Sequence, residues 1–342
     1  MSRPLGLLRA GYPYLKTLGM RRVCNYPYDI AFGPEEKIYI LCRTSGGAFI
    51  RVWTFDDAER LTDDLVQIGG YGKDDGQFQW PVQIITDCEG NIYVSDEATH
   101  KISKFDPNGD FVSRWGTEGN GKGEFTAPTG IAFDPEGNIV VADSGNSRIQ
   151  KYSPDGKFVS EFGSEGEGDS ELKNPWGLHV DELGDIYVAD WGNDRIQRYS
   201  YEGDLKMSLK GETPDGVCIN RPTSVSVDLH GDIYTTDWNN NRVLVYDSTG
   251  RYVWKFSGDA TLSRVARDYM MTNAYANRLR EMTNLEEEKY FRSPTSVRVD
   301  NKFRICVADH HSYRLQVYQK ESVELDENSI APQMRNHSLT TV

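Results

Sequence analysis

Cysteine is scarce in this chain and shows no pairing pattern. Cys24, Cys42, Cys88, Cys218 and Cys306 are odd in number and form no C-x-x-C. That argues against a disulfide-stapled module and a zinc ribbon, and points to reduced thiols in a cytoplasm-like, cytoplasmic compartment. No apolar run approaches the roughly 20 residues of a membrane-spanning helix. The opening Met1-Ser-Arg-Pro-Leu-Gly-Leu-Leu-Arg9 has too short an apolar stretch for a signal peptide. Positive charge is thin as well: 38 Lys and Arg face 52 Asp and Glu, a net charge of −14, and Arg21-Arg22 is the only adjacent basic pair. Such a field repels nucleic acid, so no nucleic-acid partner is expected. There is no G-x-S-x-G, no H-E-x-x-H and no phosphate-binding glycine loop. The glycine-rich stretches, such as Gly116–Gly123, are acidic and read as turns.

Repetition is what the chain has in abundance. The series P-x-x-[IVL]-x-[VFI]-D, G-[ND]-I-Y-V-x-D and N-x-R-[IV]-x-x-[YF] returns every 47 residues. It places Pro81, Pro128, Pro175 and Pro222 in register, together with Asp96, Asp143, Asp190 and Asp237. A period in the forties built from short strands is the mark of propeller blades. Each repeat supplies four strands. Strand A follows the proline, strand B ends in the Asp, strand C follows the arginine, and strand D is of the Phe111–Trp115 type. Blade 1 starts at Pro27 with Cys42 in place of the Asp, and blade 6 starts at Pro294 and ends strand C at Tyr318 with no strand D after it. Residues 12–19 match the strand D pattern, so the N-terminus is expected to complete blade 6 and leave no free sheet edge. The expectation is an all-β, six-bladed propeller over residues 1–322, with a helical insertion at 257–291 and a C-terminal tail at 323–342. That tail has no periodicity and is expected to be mobile on its own.

The proline start, the G-[ND]-I-Y-V-A-D run and the N-x-R-[IV] string resemble the NHL repeat over roughly residues 12 to 320. Blades 3 to 5 match it well, blade 1 weakly, and blade 6 lacks the Asn. The resemblance implies a six-bladed propeller. Family members include RNA binders, protein-interaction modules, sensor domains and a zinc-dependent amidating lyase. In that lyase three blades carry a zinc-binding His directly after the proline. Here those positions are Tyr28, Val82, Thr129, Trp176, Thr223 and Thr295. The positions matching the lyase's catalytic Tyr are Ala98, Gly145, Gly192, Asn239 and His311, so the resemblance carries no zinc site here.

The recurring D-x-x-N-x-R string reads as scaffold. Asp190 ends a strand, Asn193 suits a left-handed turn position, and Arg195 reaches back to the carboxylate, as do Arg148 to Asp143 and Arg242 to Asp237. Function is expected where the repeat is broken. Up-and-down strands put the residues after each proline, the B–C loops and the D–A linkers on one face, the loop face. Tyr28, Trp176, Trp191 and Trp238 bring aromatics there beside Asp29, Arg43, Gln83, Glu97, His310 and His311, while His179 and Arg298 stand nearer the axis among small residues. A metal site built on His310, His311 and His179 has no ligand spacing in its favour, so neither metal nor cofactor is expected.

The step from Pro222 to Pro294 is 72 residues, about 25 longer than the repeat. Leu262, Val265, Tyr269, Leu279, Met282 and Leu285 follow helical spacing there, with Thr261 or Ser263 as cap. This insertion can lid the loop face, present a helix to a partner, or pack as filler. Two functional readings stand. The first is a non-catalytic binding propeller that engages a protein partner or a small molecule, a role compatible with a subunit of a larger assembly. The second is a lyase or hydrolase at the channel mouth. It would use His310 or His311 as acid/base, Arg298 as anion binder and Glu97 or Asp29 as orienting carboxylate.

Overall fold

The computed structural model describes residues 6–19, 24–56 and 67–325. The described residues form six four-stranded antiparallel sheets, five of them with their strands in sequence order from A to D. Blade 4 shows the regular form: Pro175–Val180, Ile186–Asp190, Arg195–Tyr199 and Leu205–Leu209. Blade 6 takes Pro294–Val299, Arg304–Asp309 and Arg314–Gln319 from the C-terminal end, and its outer strand is Tyr14–Leu18. In that pairing Tyr14 lies opposite Tyr318 and Leu18 opposite Leu315. The N-terminal strand therefore closes the ring, as the pattern predicts.

Strand B is largely apolar before its terminal Asp because both of its faces are covered. In blade 4, Ile186 and Val188 pack into the wedge shared with blade 3, and the alternate residues Tyr187 and Ala189 into the wedge shared with blade 5. Each of the six wedges among the described residues holds one such cluster, including the seam between blades 6 and 1.

The repeated Asp ties each of blades 2 to 6 to the linker that enters it. A carboxylate oxygen of Asp96, Asp143, Asp190, Asp237 and Asp309 accepts the backbone N–H of Gln79, Thr126, Lys173, Asn220 and Arg292, respectively, always 17 residues earlier, at 2.6–2.8 Å. Asn193 donates to Asp190 at 2.8 Å and Arg195 Nε to the same carboxylate at 2.8 Å. One detail of the expectation is corrected. The left-handed residue is Asp194 (φ 54°), not Asn193, which sits inside a short 3-10 turn from Trp191 to Asn193. The turn needs its Asn for the side-chain amide and its next residue for the backbone reversal.

Two features at the termini were not visible in the repeat. Strand Glu321–Leu325 pairs with Gly6–Gly11 as a separate ribbon, so 323–325 are not a structureless tail. The segment Glu-Ser-Val-Glu-Leu is too short and polar to announce a strand, and its partner lies at the other end of the chain. Residues 326–342 lie outside the described residues. Beside the ribbon, fully buried Lys320 bridges Asp228 (2.5 Å) and Asp232 (2.9 Å), and Arg9 pairs with Asp232 from the other strand (Nε–Oδ2 2.7 Å).

The ring seam is also ionic near the axis. Arg298 of blade 6 donates two hydrogen bonds to Asp29 of blade 1, at 3.0 and 2.8 Å, and Asp29 accepts the Ile84 N–H of blade 2 at 2.9 Å. Removing one partner of a buried pair leaves the other charge uncompensated, which costs about 3–5 kcal/mol. Asp29→Ala is therefore expected to lower the urea midpoint by that equivalent with the m-value unchanged. An unchanged midpoint would show that the seam does not depend on the pair.

Candidate functional site

On the loop face, Tyr28, Arg43, Trp176, Trp191, Thr223, Trp238, Thr295, His310 and His311 enclose a cavity of about 250 Å³. Blades 1, 4, 5 and 6 supply all of these residues, so the cavity sits to one side of the propeller axis. Two backbone devices place them. The residue after each repeat proline opens strand A at the rim of the face. The residue after the strand B terminus opens the B–C turn, which in blades 4, 5 and 6 is a 3-10 turn closed by left-handed Asp194, Asn241 and Tyr313. Crowding of the A strands allows only glycine beside Trp176. A Cβ on Gly177 would come within 2.6 Å of the Thr223 carbonyl oxygen.

Arg43 is the only charged residue in the lining, and its guanidinium is already engaged. It stacks between the rings of Tyr28 and Trp80, at 4.2 and 4.3 Å, with Nη2 3.3 Å from Glu97 and Nη1 donating to the Pro81 carbonyl at 3.3 Å. Burial pushes the Glu97 carboxyl above its ordinary range against the pull of Arg43, and burial likewise raises the Tyr28 phenol. Thr223 and Thr295 donate their hydroxyls to the carbonyls of Thr295 (2.8 Å) and Pro27 (3.3 Å), which stitches the cavity floor across blades 5, 6 and 1.

His310 has its Nδ1 3.1 Å from the Pro27 carbonyl oxygen. A carbonyl only accepts, so Nδ1 carries the proton and Nε2 is left as an acceptor. Burial holds the imidazole neutral, with a pKa pushed down to about 4. Its ring lies 5.7 Å from Tyr28, edge-on, and 4.9 Å from His311. Trp176 and Trp191 face each other at 6.3 Å, and the Arg221 guanidinium covers Trp191 at 4.6 Å. The Trp176 indole N–H is buried and points toward the Tyr28 phenol oxygen.

The remaining expected site residues are put to other uses. Gln83, His179 and Arg298 line a second cavity of about 270 Å³ along the axis. Arg298 is not a free anion binder, because Asp29 holds it, and Asp29 in turn orients no histidine. Gln83 donates to the Ile131 and Leu178 carbonyls at 2.5 and 3.0 Å and so spans the channel as a brace. His179 is held neutral by burial and by the nearby Arg298 cation, with a pKa pushed down to about 3. Glu97 lies behind Arg43 and outside the cavity lining. Among the described residues no carboxylate pairs with His179, His310 or His311, and no group of three metal-ligating side chains forms.

The insertion folds as two helices, α1 (Arg264–Thr272) and α2 (Ala274–Glu281), capped by the Ser263 hydroxyl and the Asn273 amide. It lines none of the cavity, so it is not the lid its linker position suggested. Val265 instead anchors it in the wedge between blades 6 and 1, and Ser257 and Ala260 bond across its base to Phe291 and Lys289. Sequence reasoning missed Tyr26, Trp80 and Arg221, which flank the cavity. All three directly precede a repeat proline, where the other blades have Ala127, Asn174 and Ser293. That column held the signal.

The depressed His310 pKa has a pH consequence. Between about 4 and the unfolded value near 6.5 the unfolded chain binds the proton that the folded ring refuses. The contribution of neutral His310 is therefore complete above about pH 6.5 and is lost as pH falls toward about 4. Urea unfolding of His310→Asn across that window is expected to show a flatter pH dependence than the parent. An NMR titration of His310 near 6.5 would contradict the burial argument.

Comparison with known proteins agrees with this architecture. The family described as a 6-bladed beta-propeller matches residues 73–161, and the NHL repeat matches residues 172–199 and 214–246. No curated protein matches the chain by sequence. Virginiamycin B lyase from Staphylococcus aureus superposes with a TM-score of 0.56 at 14% identity, covering 90% of this chain and 99% of that one. A structural genomics protein of unknown function from Bacteroides thetaiotaomicron gives 0.60 at 14% identity, covering 92% and 72%. The WD40 beta propeller domain of Doa1 gives 0.55 at 12%, covering 92% and 98%. At these identities the likeness is one of fold. Taken with the closed ring and its repeated Asp, the matches identify the chain as a six-bladed β-propeller that carries NHL repeats.

Proposed function

We propose that this is a non-catalytic binding propeller whose loop-face cavity receives an apolar, aromatic group, carried by a small molecule or by a side chain of a protein partner. One observation carries the reading: three tryptophans, a tyrosine and two histidines wall a cavity whose single charge is already neutralised. Aromatic walls with a few convergent polar atoms are what ligand pockets use. The lyase or hydrolase alternative asks for more. General acid/base work at neutral pH needs a group poised near that pH and oriented by a partner, and His310 instead bonds to a backbone carbonyl with its pKa well below neutrality. Virginiamycin B lyase shares the fold, and that likeness supplies no residue roles at 14% identity.

The same reading accommodates assembly into something larger. Met271, Tyr275 and Met282 are 73–81% exposed on the helical insertion, an adaptable apolar surface beside the ring. Among the described residues the five cysteines form no disulfide, which accords with a reducing, cytoplasmic location. No helix among the described residues is long and apolar enough to cross a membrane.

A ligand-observed NMR screen of neutral aromatic fragments tests the proposal. Binders of the parent are expected to lose about tenfold or more in affinity on Trp191→Ala and Trp238→Ala, the loss typical of a buried aromatic anchor. Fragments that bind parent and variants alike, or a screen without binders, would refute it.

A further inference from the structure

The cavity's polar atoms say more about its occupant, on the footing of the binding reading above. We infer that the site selects a neutral aromatic group bearing an N–H or O–H donor, an indole- or phenol-like ligand, with His310 Nε2 as the acceptor that reads the donor.

Charge narrows the class first. An anion would need a cation with donors to give, yet Arg43 is sandwiched between Tyr28 and Trp80 and is bonded to Glu97 and the Pro81 carbonyl. A cation would meet that guanidinium in a lining with no carboxylate of its own. A neutral occupant remains. The tryptophan faces then favour a planar one, since offset and edge-to-face ring contacts add to area burial.

Hydrogen bonding narrows it further. The Nδ1–H of His310 is committed to Pro27, so Nε2 stands on the cavity wall as a bare acceptor with no partner among the described residues. The threonine hydroxyls of the floor are bonded to backbone carbonyls and are not available as acceptor-seeking donors. An occupant without a donor would desolvate Nε2 and return nothing, and sites built around such a group discriminate strongly against analogues lacking it.

Titration calorimetry with indole and 1-methylindole separates the parts of this claim. Indole is expected to bind the parent protein about tenfold more tightly than its N-methyl analogue. His310→Asn keeps a donor for Pro27 but loses the acceptor, and is expected to abolish that preference, so that indole and 1-methylindole bind the variant with similar affinity. His310→Gln places an oxygen near the Nε2 position and is expected to retain part of the preference. Equal binding of both probes to the parent would overturn the donor assignment and leave the aromatic cavity standing. Binding of neither would overturn both.

Discussion

A buried carboxylate that catches a backbone N–H from 17 residues upstream is the contact on which the ring depends. Asp96, Asp143, Asp190, Asp237 and Asp309 each make it, and each thereby locks the end of strand B to the linker arriving from the previous blade. In blades 3, 4, 5 and 6 an arginine completes the knot, from Arg148, Arg195, Arg242 and Arg314. Desolvation lifts the carboxyls of Asp143, Asp190 and Asp309 above their ordinary range, and the bonds from linker amides, asparagines and arginines offset that cost. An interblade wedge of alternating aliphatic residues can then form on either side, since the angle between neighbours is already held.

The same knot explains where the unusual side chains gather. The residue directly after the knot opens the B–C turn, and the fold places few demands on it. Its identity drifts from Glu97 and Ser144 to Trp191, Trp238 and His310 while its position stays fixed. Blade 1 is the exception. Cys42 replaces the carboxylate and is buried with its thiol pushed up to about 12, and the strand continues into a tight hairpin that delivers Arg43 to the cavity rim. Rigid scaffold and variable presentation are separated by a single peptide unit.

Much of this was legible because periodicity in the sequence maps one-to-one onto angular position in a ring. The proline and Asp columns give blade boundaries, and the closing strand at Tyr14–Leu18 follows from a missing strand D. The columns also placed Tyr28, Trp176, Trp191, Trp238 and His310 on one face. What they could not give was side-chain commitment. Arg298, Asp29 and Gln83 occupy plausible site positions but hydrogen-bond across the axis to residues 48 to 269 positions away, a relation with no local signature. The insertion shows the same limit. Its helical spacing was readable, but its placement at the rim follows from Val265 finding a wedge formed by blades 6 and 1.

Gly6 lies opposite Leu325 in the terminal ribbon, so the described ends of the chain meet side by side. With strand D of the last blade drawn from the N-terminal side, the order of the blades along the chain and their order around the ring coincide. A circle of this kind has no privileged origin. The blade-to-blade contacts are of one kind all the way round, and the seam between blades 6 and 1 is packed like any other wedge.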